Sequence, residues 1–146
     1  MTDMSTGECR CGGVRWRTEG RLRDVWYCHC EDCRRITGHH MAATAAVADE
    51  LTFDTDETLS WYSAQPGVFY GFCSRCGATM FWRADDKPGS ISISAGCVDP
   101  PTGLQVAGVL FADEAADYLT DRPVVCLLYT SPSPRDQRGS RMPSSA

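Results

Sequence analysis

Hydrophobic and polar residues alternate along several short stretches of the chain. Val14, Trp16 and Thr18 alternate with two arginines, and Ile91 and Ile93 alternate with serines. Alternation with a period of two predicts β-strands that bury one face. Three further runs of β-branched and aromatic residues also predict strands, at positions 58–62, 78–83 and 104–111. The pattern therefore predicts a mainly β protein.

Turn-forming residues separate the predicted strands, and only two stretches have a pattern typical of helices. The turns contain proline with glycine or aspartate, at positions 65–67, 85–89 and 99–101. Residues 31–37 predict a short helix that Gly38 would end, and residues 113–119 predict a second one. We therefore expect one or two short helices beside the strands, and the chain has no internal repeat.

Composition and charge narrow the class of protein. The chain has 146 residues, 42% of them hydrophobic, which suits one domain with a packed core. Its 19 acidic and 14 basic residues give a formal charge of −5, which argues against general binding to nucleic acid or to an anionic membrane. The oligomeric state does not follow from these features.

The two ends of the chain lead to expectations about location and domain boundaries. The N-terminus lacks the order of a secretory signal, and no apolar run approaches the roughly 20 residues of a membrane span. We therefore expect a cytoplasmic protein. Residues 126–146 are rich in serine, proline and arginine, which predicts a disordered tail, and the segment also resembles a translated adapter or assembly artefact. The expected domain is residues 1–125.

Seven of the nine cysteines fall into three tight groups. In a reducing compartment such groups bind metal or perform chemistry more often than they form disulfides. Cys73 and Cys76, followed by Gly77, have the spacing of a zinc knuckle. Two more thiolates would complete a closed tetrahedral site, and Cys9 and Cys11 are able to supply them.

The remaining group lies in the sequence YCHCEDCRR, which contains Cys28, Cys30 and Cys33. A metal with three protein ligands keeps a fourth position for water or substrate, as catalytic zinc sites do. The spacing thus predicts an open zinc site. Three alternatives would close it and make it structural: ligation by His29, by a distant side chain, or by Cys97. A redox role for the CxxC groups is disfavoured, because the groups are too many and too regularly arranged.

The three histidines and Cys97 have less specific signals. His29 lies between two predicted ligands, so we expect its ring to point away from their ion, in a supporting or surface position. His39 and His40 are expected on the surface, although a role in the site stays open. Cys97 is expected to be a small buried hydrophobic residue.

The order of these motifs resembles that of a known family. The chain reads, in order, GECRCGGV, YCHCEDCRRITG, GFCSRCGATMFW, SAGCVD and VLFADEAADY. This order resembles the glutathione-dependent formaldehyde-activating enzyme family, whose domain is shared with centromere protein V. The resemblance spans roughly residues 7–118 and includes all seven clustered cysteines.

The resemblance implies a β-tent fold of mostly antiparallel strands that is stabilised by two zinc ions. It implies that one zinc is structural and the other catalytic. The structural ion would be held by Cys9, Cys11, Cys73 and Cys76, and the catalytic ion by Cys28, Cys30 and Cys33.

The resemblance also implies an activity, in which glutathione and formaldehyde join to give S-hydroxymethylglutathione. This reaction is formally that of a carbon–sulfur lyase run in reverse, and its partners are a small thiol and a small aldehyde. The alternative is a non-catalytic zinc-binding interaction module. In many members an arginine precedes the FC knuckle, where this chain has Tyr70 and Gly71.

Overall fold

The computed structural model of the protein describes residues 3–119, which contain ten β-strands and one α-helix. The strands are β1 (Ser5–Glu8), β2 (Arg15–Thr18), β3 (Val25–Cys28), β4 (Met41–Val47), β5 (Leu51–Thr55), β6 (Leu59–Gln65), β7 (Val68–Cys73), β8 (Thr79–Ala84), β9 (Ser90–Ser94) and β10 (Val106–Leu110). The helix is α1 (Glu31–Thr37), and single 3₁₀ turns occupy Ala48–Glu50, Ala95–Cys97 and Ala112–Glu114.

The strands form two sheets. The smaller sheet has the order β1-β2-β5, and the larger has the order β10-β3-β4-β9-β8-β7-β6. The pair β3–β10 is parallel, and the other strand pairs are antiparallel. The structure confirms the predicted mainly β fold of mostly antiparallel strands.

The main core joins the small sheet to one face of the large sheet. Trp16 of β2 packs in the same buried cluster as Phe81 of β8 and Ile93 of β9, and each of the three is 0% exposed. Phe53 of β5 meets the Phe81 ring edge-to-face at 5.5 Å. Fully burying one such side chain contributes about 1.5–3 kcal/mol, so this cluster provides much of the attraction between the sheets.

The opposite face of the large sheet carries helix α1. Cys33 of the helix is buried with Met41 of β4 and Tyr70 of β7, and Ile36 packs against the same cluster. The helix ends at Gly38, whose left-handed backbone (φ 86°) suits glycine. The helix predicted for residues 31–37 is confirmed, and it places Cys33 against this face of the large sheet.

The second predicted helix is wrong. Residues 112–114 form a 3₁₀ turn, and no α-helix follows it as far as Leu119. A seven-residue segment is too short to be stable as a helix without a packed apolar face. The Glu114 side chain instead accepts a hydrogen bond from the backbone N–H of Glu31 at 3.1 Å, which ties this turn to the start of α1.

Two further expectations concern the ends of the chain and membranes. The tail predicted at residues 126–146, which includes Cys126, lies outside the described residues. Within residues 3–119, the only α-helix spans seven residues, and none is long and apolar enough to cross a membrane.

Candidate metal centres

The first group of thiols joins the small sheet to the large one. Cys9 follows β1 and Cys73 ends β7, and both are buried. The sulfurs of the four-cysteine cluster all lie within 4.8 Å of one another; its members are Cys9, Cys11, Cys73 and Cys76. The Sγ atom of Cys11 lies 3.7 Å from that of Cys9 and 3.6 Å from that of Cys73. Tetrahedral zinc with Zn–S bonds of about 2.3 Å separates its sulfurs by about 3.8 Å, so these separations fit zinc.

A tight turn after β7 shapes one half of this cluster. The backbone N–H groups of Arg75 and Cys76 donate to the Cys73 sulfur at 3.4 and 3.3 Å. Gly77 donates its N–H to the Cys73 carbonyl at 2.8 Å and has a φ of 81°, which a side chain would strain. The sequence Cys-Ser-Arg-Cys-Gly therefore folds locally into the knuckle that its spacing predicts.

Hydrogen-bond donors favour the ionised form of two thiols of the four-cysteine cluster, whereas burial raises the pKa of a third, Cys9. Burial raises the pKa of Cys73, but hydrogen bonds from Thr58 and from the turn outweigh burial and lower the pKa to about 5. The Arg75 guanidinium donates to Cys11 at 3.3 Å and lowers the pKa of that thiol. The thiolate is the form that binds zinc, so these contacts favour metal binding by Cys73 and Cys11.

The second group of thiols lies where β3 leads into α1. Cys28 is the last residue of β3, Cys30 caps the N-terminus of α1, and Cys33 lies in its first turn. The sulfurs of this three-cysteine cluster also lie within 4.8 Å of one another. The N–H of Cys33 donates to the sulfur of Cys30 at 3.4 Å. The three cysteines are two and three residues apart in the sequence, and the short connection between β3 and α1 brings their sulfurs close to one point.

The hydroxyl of Tyr70 meets this cluster from the neighbouring strand β7. It lies 3.1 Å from the Cys33 sulfur, and Tyr70 is buried. A hydrogen bond from Cys33 lowers the pKa of Cys28 to about 6, whereas the pKa of Cys33 itself is raised, first by that hydrogen bond and then by burial. One thiol of the cluster thus ionises readily, and Tyr70 is the donor available to stabilise another thiolate once a cation is present.

The three-cysteine cluster faces a cavity of about 610 Å³. Aromatic side chains form much of its wall, namely Trp26, Tyr70, Trp82 and Phe111. Among residues 3–119, no fourth histidine, cysteine or carboxylate joins the three sulfurs at the same separation. In particular, neither His29 nor Cys97 does so. Cys97 instead packs against the main core.

The three histidines lie together beside this centre. His29 is buried at 8% exposure, His40 is half-buried and His39 is exposed. The His40 ring lies 4.8 Å from the ring of His29 and 4.2 Å from that of His39, measured between centroids. Burial lowers the pKa of His40, so its neutral form is favoured. The histidines form a group of mutually tilted rings beside the thiols, and they do not complete the ligand set.

The structure brings together all seven cysteines in the two groups that the spacing predicts, and both all-sulfur sets suit zinc. Sequence reasoning did not identify the residues that form the wall of the cavity. Trp26 precedes Cys28 by two positions on β3, and Val68 and Tyr70 share a face of β7. The period of two along each strand was the available signal, but it does not indicate which strands become neighbours.

Known proteins provide an independent comparison. A crystal structure of a Rhodobacter sphaeroides protein matches with a TM-score of 0.57 and 24% sequence identity, over 71% of this chain and 98% of that one. That likeness supports the fold alone. No curated protein sequence matches the chain significantly. A family model described as glutathione-dependent formaldehyde-activating enzyme matches residues 4–114. The chain therefore belongs to the glutathione-dependent formaldehyde-activating enzyme family.

Proposed function

We propose that the protein is a zinc-dependent enzyme of the carbon–sulfur lyase type that joins a thiol to a small aldehyde, or cleaves the adduct. It holds two zinc ions. The four-cysteine cluster binds one ion as a structural element, and the three-cysteine cluster binds the other as the reactive centre. The catalytic domain spans residues 1–125.

The observation that carries this proposal is the difference between a closed and an open set of thiols. Three sulfurs converge at the wall of a cavity, and no fourth side chain among the described residues completes the set. Catalytic zinc sites have this composition, whereas structural sites have four protein ligands. Membership of the family adds the class of substrate, a thiol and an aldehyde.

The residues of the cavity have separable tasks in such a reaction. Cys28, Cys30 and Cys33 would hold the zinc ion, and the chemistry that it would supply there is a positive charge that lowers the pKa of a neighbouring thiol. Tyr70 donates to Cys33 and fixes the direction of that ligand. Trp26 and Trp82 supply apolar wall that limits the access of water. The net change moves one proton from sulfur to the new hydroxyl oxygen, and Asp32 and Glu114 offer carboxylates at the wall to carry it.

Metal analysis together with an activity screen tests the proposal. Native mass spectrometry is expected to show two zinc ions per chain, and thiol-dependent loss of formaldehyde or a related aldehyde is expected with the zinc-loaded protein. A stoichiometry of one zinc refutes the two-site assignment. Two zinc ions without affinity for any thiol would instead favour a non-catalytic interaction module.

A further inference from the structure

The three histidines of the chain form a cluster of rings at the end of β3. The His40 ring lies at the centre of this cluster, beside the rings of His29 and His39, and the Tyr27 ring lies 4.5 Å from the His40 ring. None of these four residues lines the cavity that the three-cysteine cluster faces. The function proposed above therefore gives the histidine cluster no task.

Two ring nitrogens of the histidine cluster are buried and have no hydrogen-bond partner. Within residues 3–119, five buried side-chain nitrogen or oxygen atoms have no partner, and two of the five are the Nδ1 atoms of His29 and His40. His29 as a whole is only 8% exposed. Buried polar atoms are nearly always satisfied by protein groups, water or an ion. Two unsatisfied nitrogens on adjacent rings therefore indicate a ligand that reaches both.

The distances between the rings fit three ligands of one metal ion. An imidazole nitrogen lies about 2.1 Å from a bound metal, and its ring centroid then lies about 3.2 Å from it. Two such rings at right angles about the metal have centroids about 4.5 Å apart, and two rings on opposite sides have centroids about 6.4 Å apart. The observed distances are 4.8 Å for His29–His40, 4.2 Å for His39–His40 and 6.4 Å for His29–His39. The rings are thus spaced as three ligands in one plane, with His40 in the middle.

Metal binding requires the rings to turn, and the exposed ring is free to do so. As the rings stand, the donor nitrogens of the three histidines do not all lie within 4.8 Å of one another. A rotation about Cβ–Cγ, which is a soft torsion in histidine, swings the nitrogens and leaves the centroid nearly in place. His39 is exposed, whereas His29 is buried and its backbone N–H donates to the Leu110 carbonyl at 3.0 Å. His29 thus provides a fixed ligand, and His39 closes on the ion.

We infer that His29, His39 and His40 form a third metal site, which binds a divalent transition-metal ion of the kind that prefers imidazole, such as Ni²⁺ or Cu²⁺. Both ions favour imidazole nitrogen and accept ligands in one plane. Water completes the coordination, and His40 lines a depression of about 350 Å³ that has room for it. The net charge of −5 favours the approach of a cation. The inference does not rest on the proposed function.

Titration of the untagged, zinc-loaded protein with Ni²⁺ tests this inference. Calorimetry is expected to show one Ni²⁺ per chain, and the zinc content after dialysis is expected to equal that of the untreated protein. The absorption spectrum identifies the ligands, because nickel on imidazole has weak bands only, whereas nickel on thiolate adds strong sulfur-to-metal charge-transfer bands. Only the weak bands are expected.

Matched variants assign the binding to the histidines. His39→Ala removes one ligand from an exposed position, and His40→Phe retains a ring in the half-buried position without its nitrogens. Each is expected to lower the affinity for Ni²⁺ about 100-fold, since losing even a group that only supports a metal ligand costs about 10–100-fold. Tyr27→Phe changes the ring beside His40 without removing a ligand, and it is expected to bind Ni²⁺ as the wild type does.

Zinc content and Tm, measured on every variant, identify any loss of fold. If His40→Phe does not fold, His39→Ala decides the question. Absence of nickel binding by the wild type overturns the inference, as does nickel that binds only with release of zinc. Unchanged affinity in either histidine variant overturns the three-histidine site. Failure of the protein to bind any thiol would refute the proposed function and leave this inference intact.

Discussion

The two groups of cysteines differ in the number of sulfurs, in the hydrogen-bond donors around the sulfurs, and in whether a cavity adjoins them. The four-cysteine cluster joins strands of both sheets, and amide, hydroxyl and guanidinium donors surround its sulfurs. The three-cysteine cluster receives the Tyr70 hydroxyl and one amide, and it faces the cavity. The comparison teaches that two cysteine clusters of one small fold differ in the number of sulfurs and in the donors around them, and the proposed division into a structural and a reactive centre rests on this difference.

Backbone conformation shows the same contrast. The left-handed positions near the four-cysteine cluster are glycines, Gly12 and Gly77, with φ of 82° and 81°. On the wall of the cavity the left-handed residue is Phe111, with φ of 55°. A left-handed backbone costs a residue with a side chain about 1–2 kcal/mol. The turns at the four-cysteine cluster avoid this strain, and the wall in front of the three-cysteine cluster retains it at an aromatic residue.

Breaking the closed cluster should have the largest effect. Cys76→Ser is expected to unfold or aggregate the protein, because structural zinc contributes on the order of 10 kcal/mol of coupled folding energy. Thermal denaturation and zinc analysis measure the effect. Cys97→Ala, outside both clusters, is the matched control and should retain two zinc ions. Soluble Cys76→Ser protein with two zinc ions and a normal Tm would show that this cluster is not an anchor.

Breaking the open cluster should cost one metal ion and leave the fold. Serine is a preferred N-cap residue, so Cys30→Ser retains the cap of α1 while it removes one thiolate. The variant is expected to hold one zinc and to lose thiol–aldehyde activity, because a site with three thiolates loses too much affinity for zinc when one of them is removed. Native mass spectrometry and circular dichroism check both parts. Unfolding as complete as that of Cys76→Ser would mean that both centres are structural.

Removing the hydroxyl of Tyr70 should weaken metal binding by the three-cysteine cluster without removing one of its sulfurs. Tyr70→Phe deletes the hydroxyl that contacts Cys33, and the affinity of the open centre for zinc is expected to fall about 10–100-fold. Competition with a chelator measures this affinity. Tyr62→Phe is the control, because Tyr62 is exposed and pairs with Tyr70 across β6 and β7. Equal zinc affinity in the two variants would leave the hydroxyl without a role.

The smallest effects concern two of the left-handed positions, Phe111 and Gly77. Phe111→Gly is expected to leave Tm unchanged or slightly raised, because strain is relieved at an exposed residue. The same change should weaken thiol binding a few-fold, since the cavity loses an aromatic wall. A large loss of Tm in Phe111→Gly would contradict the strain argument.

Gly77→Ala is expected to lower the free energy of unfolding by about 1 kcal/mol, because the left-handed backbone at this position disfavours a side chain. Nothing lies within 4 Å of the added Cβ, so the loss is not a steric clash.

Parts of this picture could be predicted from local sequence. Helix α1 follows from a run of helix-compatible residues that Gly38 ends, and strand β9 follows from the alternation of isoleucine and serine. Strand β4, with the sequence MAATAAV, has one β-branched residue before its last position and lacks a strand signal. The structure makes it the partner of β3 and β9, so tertiary pairing decides its conformation.

The thiols of the site were predictable, and the cavity in front of them was not. The spacing of the cysteines is a local property of the sequence. The β3–α1 connection and the turn after β7 each bring their cysteines together within a few residues. Arg23, Tyr70 and Trp82 line one cavity because the sheet places β3, β4, β9, β8 and β7 side by side. That order depends on contacts between residues far apart in the chain, which no local pattern contains.

Cobalt substitution tests the central claim most directly, because the visible spectrum of cobalt reports the ligands at each centre. In the cobalt-loaded wild type, a small thiol is expected to change the spectrum of one of the two ions as a fourth sulfur enters the open centre. Cys30→Ser, with the four-cysteine cluster alone, should give a spectrum that the thiol does not alter. An unchanged wild-type spectrum at saturating thiol would contradict the assignment of the three-cysteine cluster as the open, reactive centre.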